Sequence, residues 1–261
     1  MTDYASEFAQ VSAELENHVL TITLQRPEKL NAVTQEMSAA LERIIARTND
    51  DPGVRAIVYT GAGRAFSAGS DIRTLDRYET PWEFRNRRDY CDALREARKP
   101  IIAAVNGFAL GGGLETALTC DIRIAAHTAT FAAPEIKLGW IGGGGMSALL
   151  ARSIGASNAA LLLITGDPIS AEQALAWGIV SELTEPDDLL PRAHALAATI
   201  ASRPPIAAET AKANLRAAVN LPLDQAIAYE REMQGITFAT EDAAEGRAAF
   251  AEKRPATFHG R

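Results

Sequence analysis

An α/β fold is what this sequence predicts, and three observations carry it. Short apolar runs of period two, such as Leu20, Ile22 and Leu24 set between Thr21 and Thr23, alternate with segments of helical spacing through the first half of the chain. From Met146 the pattern turns almost wholly helical. No stretch of linker composition divides the 261 residues, so the chain reads as one domain, with a core over residues 1–200 and a helical C-terminal region over 201–261.

Each element has its own signal. "VSAELENHVLTITLQRP" reads as a hairpin turned at "ENH" and ended by Pro27. A helix follows over 34–49, with Met37, Leu41, Ile44 and Ile45 at helical spacing, and "DDPGV" breaks it. "RAIVYTG" is a buried strand; residues 73–98 are charged and weakly helical; "KPIIAAVNG" is the next strand, followed by a glycine run and a short helix. "DIRIAAH" is another strand, and "ATFAAPEIKLG" leads through Pro134 to a second glycine loop, "GWIGGGGM". The passages 56–71 and 101–119 share a strand–turn–helix order that hints at internal repetition. Ser170 and Gln173 make a capping box for "AEQALAWG", "GIVSEL" is a last strand, and helices follow at 187–201, 205–219, 223–238 and 242–253. The alanine-rich helices of that tail can pack between subunits or fold back on their own core.

Charge and cysteine content narrow the function. The net charge of -7 argues against nucleic acid and anionic membranes. Cys91 and Cys120 are too few for a disulfide framework and read as reduced thiols in a cytoplasmic protein. The start "MTDYASEFAQ" lacks the basic and apolar regions of a secretion signal, and no uninterrupted apolar run approaches a membrane span. The four histidines (18, 127, 194 and 259) do not pair at metal-ligand spacing.

"ALGGGLETAL" sets three glycines against a helix, although glycine is a poor helix former. The run lacks the spacing of a dinucleotide fingerprint, and the chain has no Gly-Lys-Ser/Thr ending for a phosphate loop. A strand running into glycines and then a helix instead leaves free N–H groups at a positive helix end, where an acyl oxygen could be held. "FSAGSDI" offers a second such turn; plain tight turns explain both loops equally well. Glu115 lies just past one glycine run and Glu135 just before another. Singly each is an ordinary first-turn acid; together they suggest a carboxyl pair for acid–base work.

The strings "RPEKLNAV", "AFSAGSDI", "IAAVNGFALGGGLETALTCDIRIAA" and "FAAPEIKLG" resemble the enoyl-CoA hydratase/isomerase, or crotonase, family, and the likeness extends to "FAEKRPATFHGR". The resemblance implies a spiral of β-β-α repeats with a C-terminal helical region used in trimerisation, assembled as a homotrimer or a dimer of trimers. It implies an acyl-CoA substrate, no further cofactor and no metal. Carried over by position, the oxyanion-hole amides fall on Ser70 and Gly112, the catalytic acids on Glu115 and Glu135, and a water-positioning amide on Gly143. Substrate and CoA contacts fall on Lys29, Leu30, Ala32, Ala68, Gly69, Asp71, Ile72 and Arg73; Lys253 and Arg254 are further candidates for the CoA phosphates. The implied reaction is hydration of a 2-enoyl-CoA, with double-bond isomerisation or another CoA-thioester lyase or racemase step as the alternative, and a non-catalytic CoA-binding module as a third.

The chain departs from the family pattern at several places. Gly142 stands where proline is common, Met146 where a second glycine is common, and Ser147, Ala148 and Leu149 replace Thr-Gln-Arg. Trp140 replaces a small or β-branched residue, and is expected either to wall the acyl pocket or to fill the core.

Overall fold

The computed structural model describes residues 4, 10–73 and 78–261; most of the N-terminal ten residues and residues 74–77 of the expected 73–98 helix lie outside them. The hairpin forms where the alternation puts it: β1 (Val11–Glu16) pairs antiparallel with β2 (Val19–Leu24). Asn17 and His18 turn it at φ 48° and 68°, the backbone that a two-residue turn between right-twisted strands requires. Helix α1 (Gln35–Asp50) opens with the Thr34 hydroxyl accepting the Met37 N–H, and buries Met37, Leu41, Ile44 and Ile45.

Beyond α1 the chain makes one move three times: a strand joins a large sheet, then a short strand joins a small one. The pairs are β3 (Ala56–Gly61) with β4 (Ala65–Ser67), β5 (Ile101–Val105) with β6 (Phe108–Leu110), and β7 (Ile122–Ala126) with β8 (Thr130–Ala132). Strands β3, β5 and β7 are parallel neighbours, and so are β4, β6 and β8. With β9 (Ile169–Ser170) and β10 (Glu182–Thr184), the sheets run β1-β2-β3-β5-β7-β10 and β4-β6-β8-β9. The repetition hinted at by 56–71 and 101–119 is this spiral. The last strand starts later than "GIVSEL" suggests, because Gly178 caps the preceding helix in a left-handed conformation.

The large sheet is covered on both faces, which is why its strands read as unbroken apolar runs. Ile57, Tyr59, Ile101 and Val105 face the main core with α1, while Val58, Ile102 and Ile124 face Ala193 and Ala197 of α7 (Leu189–Ala201). The charged stretch forms two short helices, α2 (Pro81–Asn86) and α3 (Tyr90–Glu96). Arg87 is extended between them, and an Asp89–Asp92 capping box starts the second. Helix α4 (Gly112–Thr119) is buried at every residue.

Helix α5 (Met146–Thr165) is long and apolar enough to cross a bilayer by length and composition, but Gly155 at φ 77° and ψ 160° breaks it into two shorter rods. Leu150, Ile154, Ala159 and Leu162 seat those rods on the core. In α6 (Ala171–Trp177) the Ser170 hydroxyl accepts the Gln173 N–H at 3.2 Å. Helix α8 (Pro205–Ala218) folds back: the buried Lys212 Nζ bonds Lys99 O at 2.7 Å and pairs with Asp121 at 2.8 Å. Helix α9 (Leu223–Phe238) buries no residue against its own chain, and α10 (Glu241–Glu252) follows it.

Candidate active site

Five segments converge on an open cleft of about 670 Å³: residues 68–72, residues 84–90, the start of α4, the turn at 134–138 and the glycine loop at 140–143. The first segment owes its orientation to strand alternation. Val33 N–H donates to Gly69 O and Asp71 N–H to Val33 O, so residues 69 and 71 turn their backbone to Val33, while Ala68, Ser70 and Ile72 line the cleft. Leu30 O accepts the Ala68 N–H from behind. The fully buried Asn31 ties that loop down by accepting Arg26 N–H and donating to Ala62 O and Ala65 O.

Lys29, Leu30, Ala32, Gly69, Asp71 and Arg73 lie outside the cleft lining. Asp71 accepts from Arg26 at 2.8 Å and from Arg73 at 3.2 Å; the Arg73 and Arg26 guanidinium groups hold its carboxyl down at about 2. Arg254 is engaged with Glu245 and Glu252 on α10.

The glycine run has an internal cause. A Cβ on Gly112 would come within 2.0 Å of the Tyr90 hydroxyl, one on Gly113 within 2.0 Å of Ser67 O, and one on Gly111, at φ 54°, within 2.9 Å of Glu135 Oε1. The groups that exclude side chains here belong to the chain itself. Gly112 is also the first residue of α4, so its N–H has no partner within the helix. Among the described residues neither Gly112 N–H nor Ser70 N–H has an acceptor in the protein.

The two carboxylates occupy one cleft but different seats. Glu115 is 5 % exposed, and its Oε1 accepts Gly144 N–H at 2.8 Å and Met146 N–H at 3.0 Å. Burial pushes its carboxyl above the usual range, those two amides oppose the shift, and the Glu135 charge adds to it. Glu135 is also pushed up by burial, and its Oε2 is buried without a partner. Gly144 allows the approach to Glu115, since a Cβ there would sit 2.8 Å from Glu115 Oε2 and 2.6 Å from Cys91 Sγ. The resemblance singled out Gly143, and Met146 only as a departure from the family pattern; that Gly144 and Met146 bond the carboxylate was not foreseen, because backbone donors carry no residue signature.

Phe84, Arg87, Asp89 and Tyr90 also line the cleft. They belong to the 73–98 stretch, whose helix starts at Thr80-Pro81 and Asp89 were the available sign of ordered structure. Among the described residues no group of three or more His, Cys, Asp or Glu side chains is placed to hold a metal ion.

The model of the family described as "Enoyl-CoA hydratase/isomerase" matches residues 14–261. The chain belongs to the enoyl-CoA hydratase/isomerase family. It is 40% identical over 243 residues, 93% of this chain and 84% of the relative, to the mitochondrial enoyl-CoA hydratase of Pongo abelii. It is 39% identical to the (E)-benzylidenesuccinyl-CoA hydratase of Thauera aromatica, covering 96% of this chain and 99% of that one. The crystal structure of an enoyl-CoA hydratase from Bacillus anthracis superposes with a TM-score of 0.91 at 32% identity, covering 97% of this chain and all (100%) of that one. The spiral is the crotonase fold of this family.

A Cβ on residue 142 would lie 2.7 Å from Met146 Cβ and 2.8 Å from Glu115 Oε1, so both the side chain at 146 and the carboxylate leave no room for one there. Trp140 proves to wall the cleft, with its indole N–H buried and unpaired.

Proposed function

We propose that this chain adds water reversibly to the double bond of a 2-enoyl-CoA, giving a 3-hydroxyacyl-CoA. The observation that carries the reading is the convergence in one cleft of Glu115, Glu135 and the acceptor-free N–H groups of Ser70 and Gly112. Glu115 serves as the base, because two amides favour its ionised form. Glu135 serves as the acid, because its partnerless oxygen sits where charge is disfavoured.

Water lies between the two carboxyl groups, with the Gly143 N–H helping to place it. Its oxygen bonds Cβ as Glu115 takes one of its protons, and the π electrons move through Cα onto the thioester oxygen. Ser70 N–H and Gly112 N–H bind that developing oxyanion, an effect worth about 3 kcal/mol per donor. Glu135 then gives its proton to Cα. The pair still holds one proton at the end, so the chemistry closes without a cofactor. The loops at 29–32 and 68–73 offer the CoA moiety backbone contacts, and Lys29 and Arg73 its phosphates.

The exposed Leu223, Ile227 and Phe238 of α9 share an apolar face of the kind that a second copy covers. They support assembly as a homotrimer or a dimer of trimers.

The test follows loss of the conjugated-thioester absorbance over a series of enoyl-CoA chain lengths. Wild-type protein should turn over part of the series, and Glu115→Gln and Glu135→Gln should each lose about 10²–10⁴-fold. Full activity in Glu115→Gln would overturn the hydratase reading and favour one-acid isomerisation.

A further inference from the structure

Beside the two residues whose amides are assigned to the thioester oxygen lies a pair of hydroxyl groups that this mechanism does not use. Tyr90, the first residue of α3, is 4 % exposed, and its hydroxyl lies 2.9 Å from Ser70 Oγ. The same phenol oxygen would be 2.0 Å from a Cβ on Gly112. One hydroxyl group thus touches both residues whose N–H groups lack acceptors, and Tyr90, Ser70 and Gly112 all line the cleft.

Counting hydrogens shows what the pair can do. Two hydroxyl groups carry two hydrogens, and the bond between them uses one. Neither oxygen has a further hydrogen-bond acceptor among the described residues, so one O–H is always left over. The phenol is the member next to Gly112, and it is the more acidic of the two. An oxyanion therefore draws its hydrogen, and Ser70 then donates to the phenol oxygen in a chain whose bonds strengthen each other. Burial pushes the Tyr90 hydroxyl well above its ordinary range, which keeps the proton in place.

We propose that Tyr90 is a further catalytic residue, donating a third hydrogen bond to the thioester oxygen with Ser70 Oγ behind it. The proposal rests on the hydratase reading and adds to it. It also explains why the residue at 112 must be glycine: the phenol oxygen fills the place of its side chain.

The experiment compares wild type, Tyr90→Phe, Ser70→Ala and the double variant, each checked for wild-type thermal unfolding. Hydration is measured together with the red shift in absorbance of a conjugated aryl enoyl-CoA on binding, which reports polarisation of the thioester carbonyl. Tyr90→Phe should lower kcat by about 10- to 100-fold with KM nearly unchanged, below the loss typical of a principal oxyanion donor, and should shrink the red shift. Ser70→Ala keeps its backbone amide and should lose less, with no added loss in the double variant. An unchanged kcat or an unchanged red shift in a folded Tyr90→Phe protein would overturn the proposal. Should Tyr90→Phe fail to fold, Ser70→Ala decides alone, through a smaller red shift or an unaltered one. A wild type without turnover or red shift would instead overturn the hydratase reading itself, and this proposal with it.

Discussion

Glu115 and Glu135 face the same cleft from opposite kinds of support. Glu115 rises from a helix buried at every residue and is gripped by two amides of the facing glycine loop. Glu135 sits in a short turn after Pro134, with one oxygen buried and unpartnered. Burial raises both, and Glu135 raises Glu115 further only when it is itself ionised. The difference lies in the hydrogen bonds: two amides of the facing loop favour ionised Glu115, against its own backbone amide alone at Glu135. In the function proposed here, these surroundings divide a pair of identical side chains into base and acid.

The largest test of that division removes it altogether. The double variant Glu115→Gln/Glu135→Gln should lose scarcely more hydration activity than either single variant, because groups acting as a unit are not additive. Single-turnover rates on one enoyl-CoA measure this, and losses that multiply would break the pairing.

Next comes the grip on Glu115. Gly144→Ala puts a methyl group 2.6 Å from Cys91 Sγ and 2.8 Å from Glu115 Oε2, and the loop must move. A displacement of about 1 Å at a catalytic group can cost about 10²-fold, and overpacking costs about 1–3 kcal/mol of stability. Hydration kinetics and urea unfolding should show both.

The legibility of the fold and of the site differed for physical reasons. The long strands and most helices were readable, because each shows an unbroken apolar run, period two or helical spacing over five or more residues. The strands at 65–67, 108–110 and 130–132 span three residues each, too short for any period to register, and the second sheet is built from them. The glycine run was noticed, but its cause was not: Ser67 O, the Tyr90 hydroxyl and Glu135 meet it only through the spiral. Trp140 was placed either in the pocket wall or in the core by sequence, and in the fold it lines the cleft.

That wall gives a subtler test. Trp140→Ala should let longer acyl chains compete better, by about 10- to 200-fold in relative kcat/KM for each methylene newly admitted. A chain-length profile identical to wild type would exclude Trp140 from specificity.

Stability sharpens the contrast further. A carboxyl raised above its unfolded value binds extra protons in the folded state, so stability falls as pH rises from 4.5 through the folded value. Glu135→Gln removes that cost and should raise the urea midpoint at neutral pH, with the gain vanishing below pH 4.5. Glu115→Gln should gain less, since it also weakens two amide bonds. The opposite sign belongs to Asp71. Its carboxyl falls from 3.8 to about 2, so its contribution is complete above 3.8 and lost as the pH drops towards 2. Asp71→Asn should flatten that acid limb of the unfolding curve.

Infrared difference titration of the wild type and the two Glu→Gln variants, run from alkaline pH downward, addresses the base–acid division most directly. The account predicts that the first protonated carboxyl band appears above the usual carboxylate range, is absent from Glu135→Gln and persists in Glu115→Gln. A first band that persists in Glu135→Gln and disappears from Glu115→Gln would contradict it.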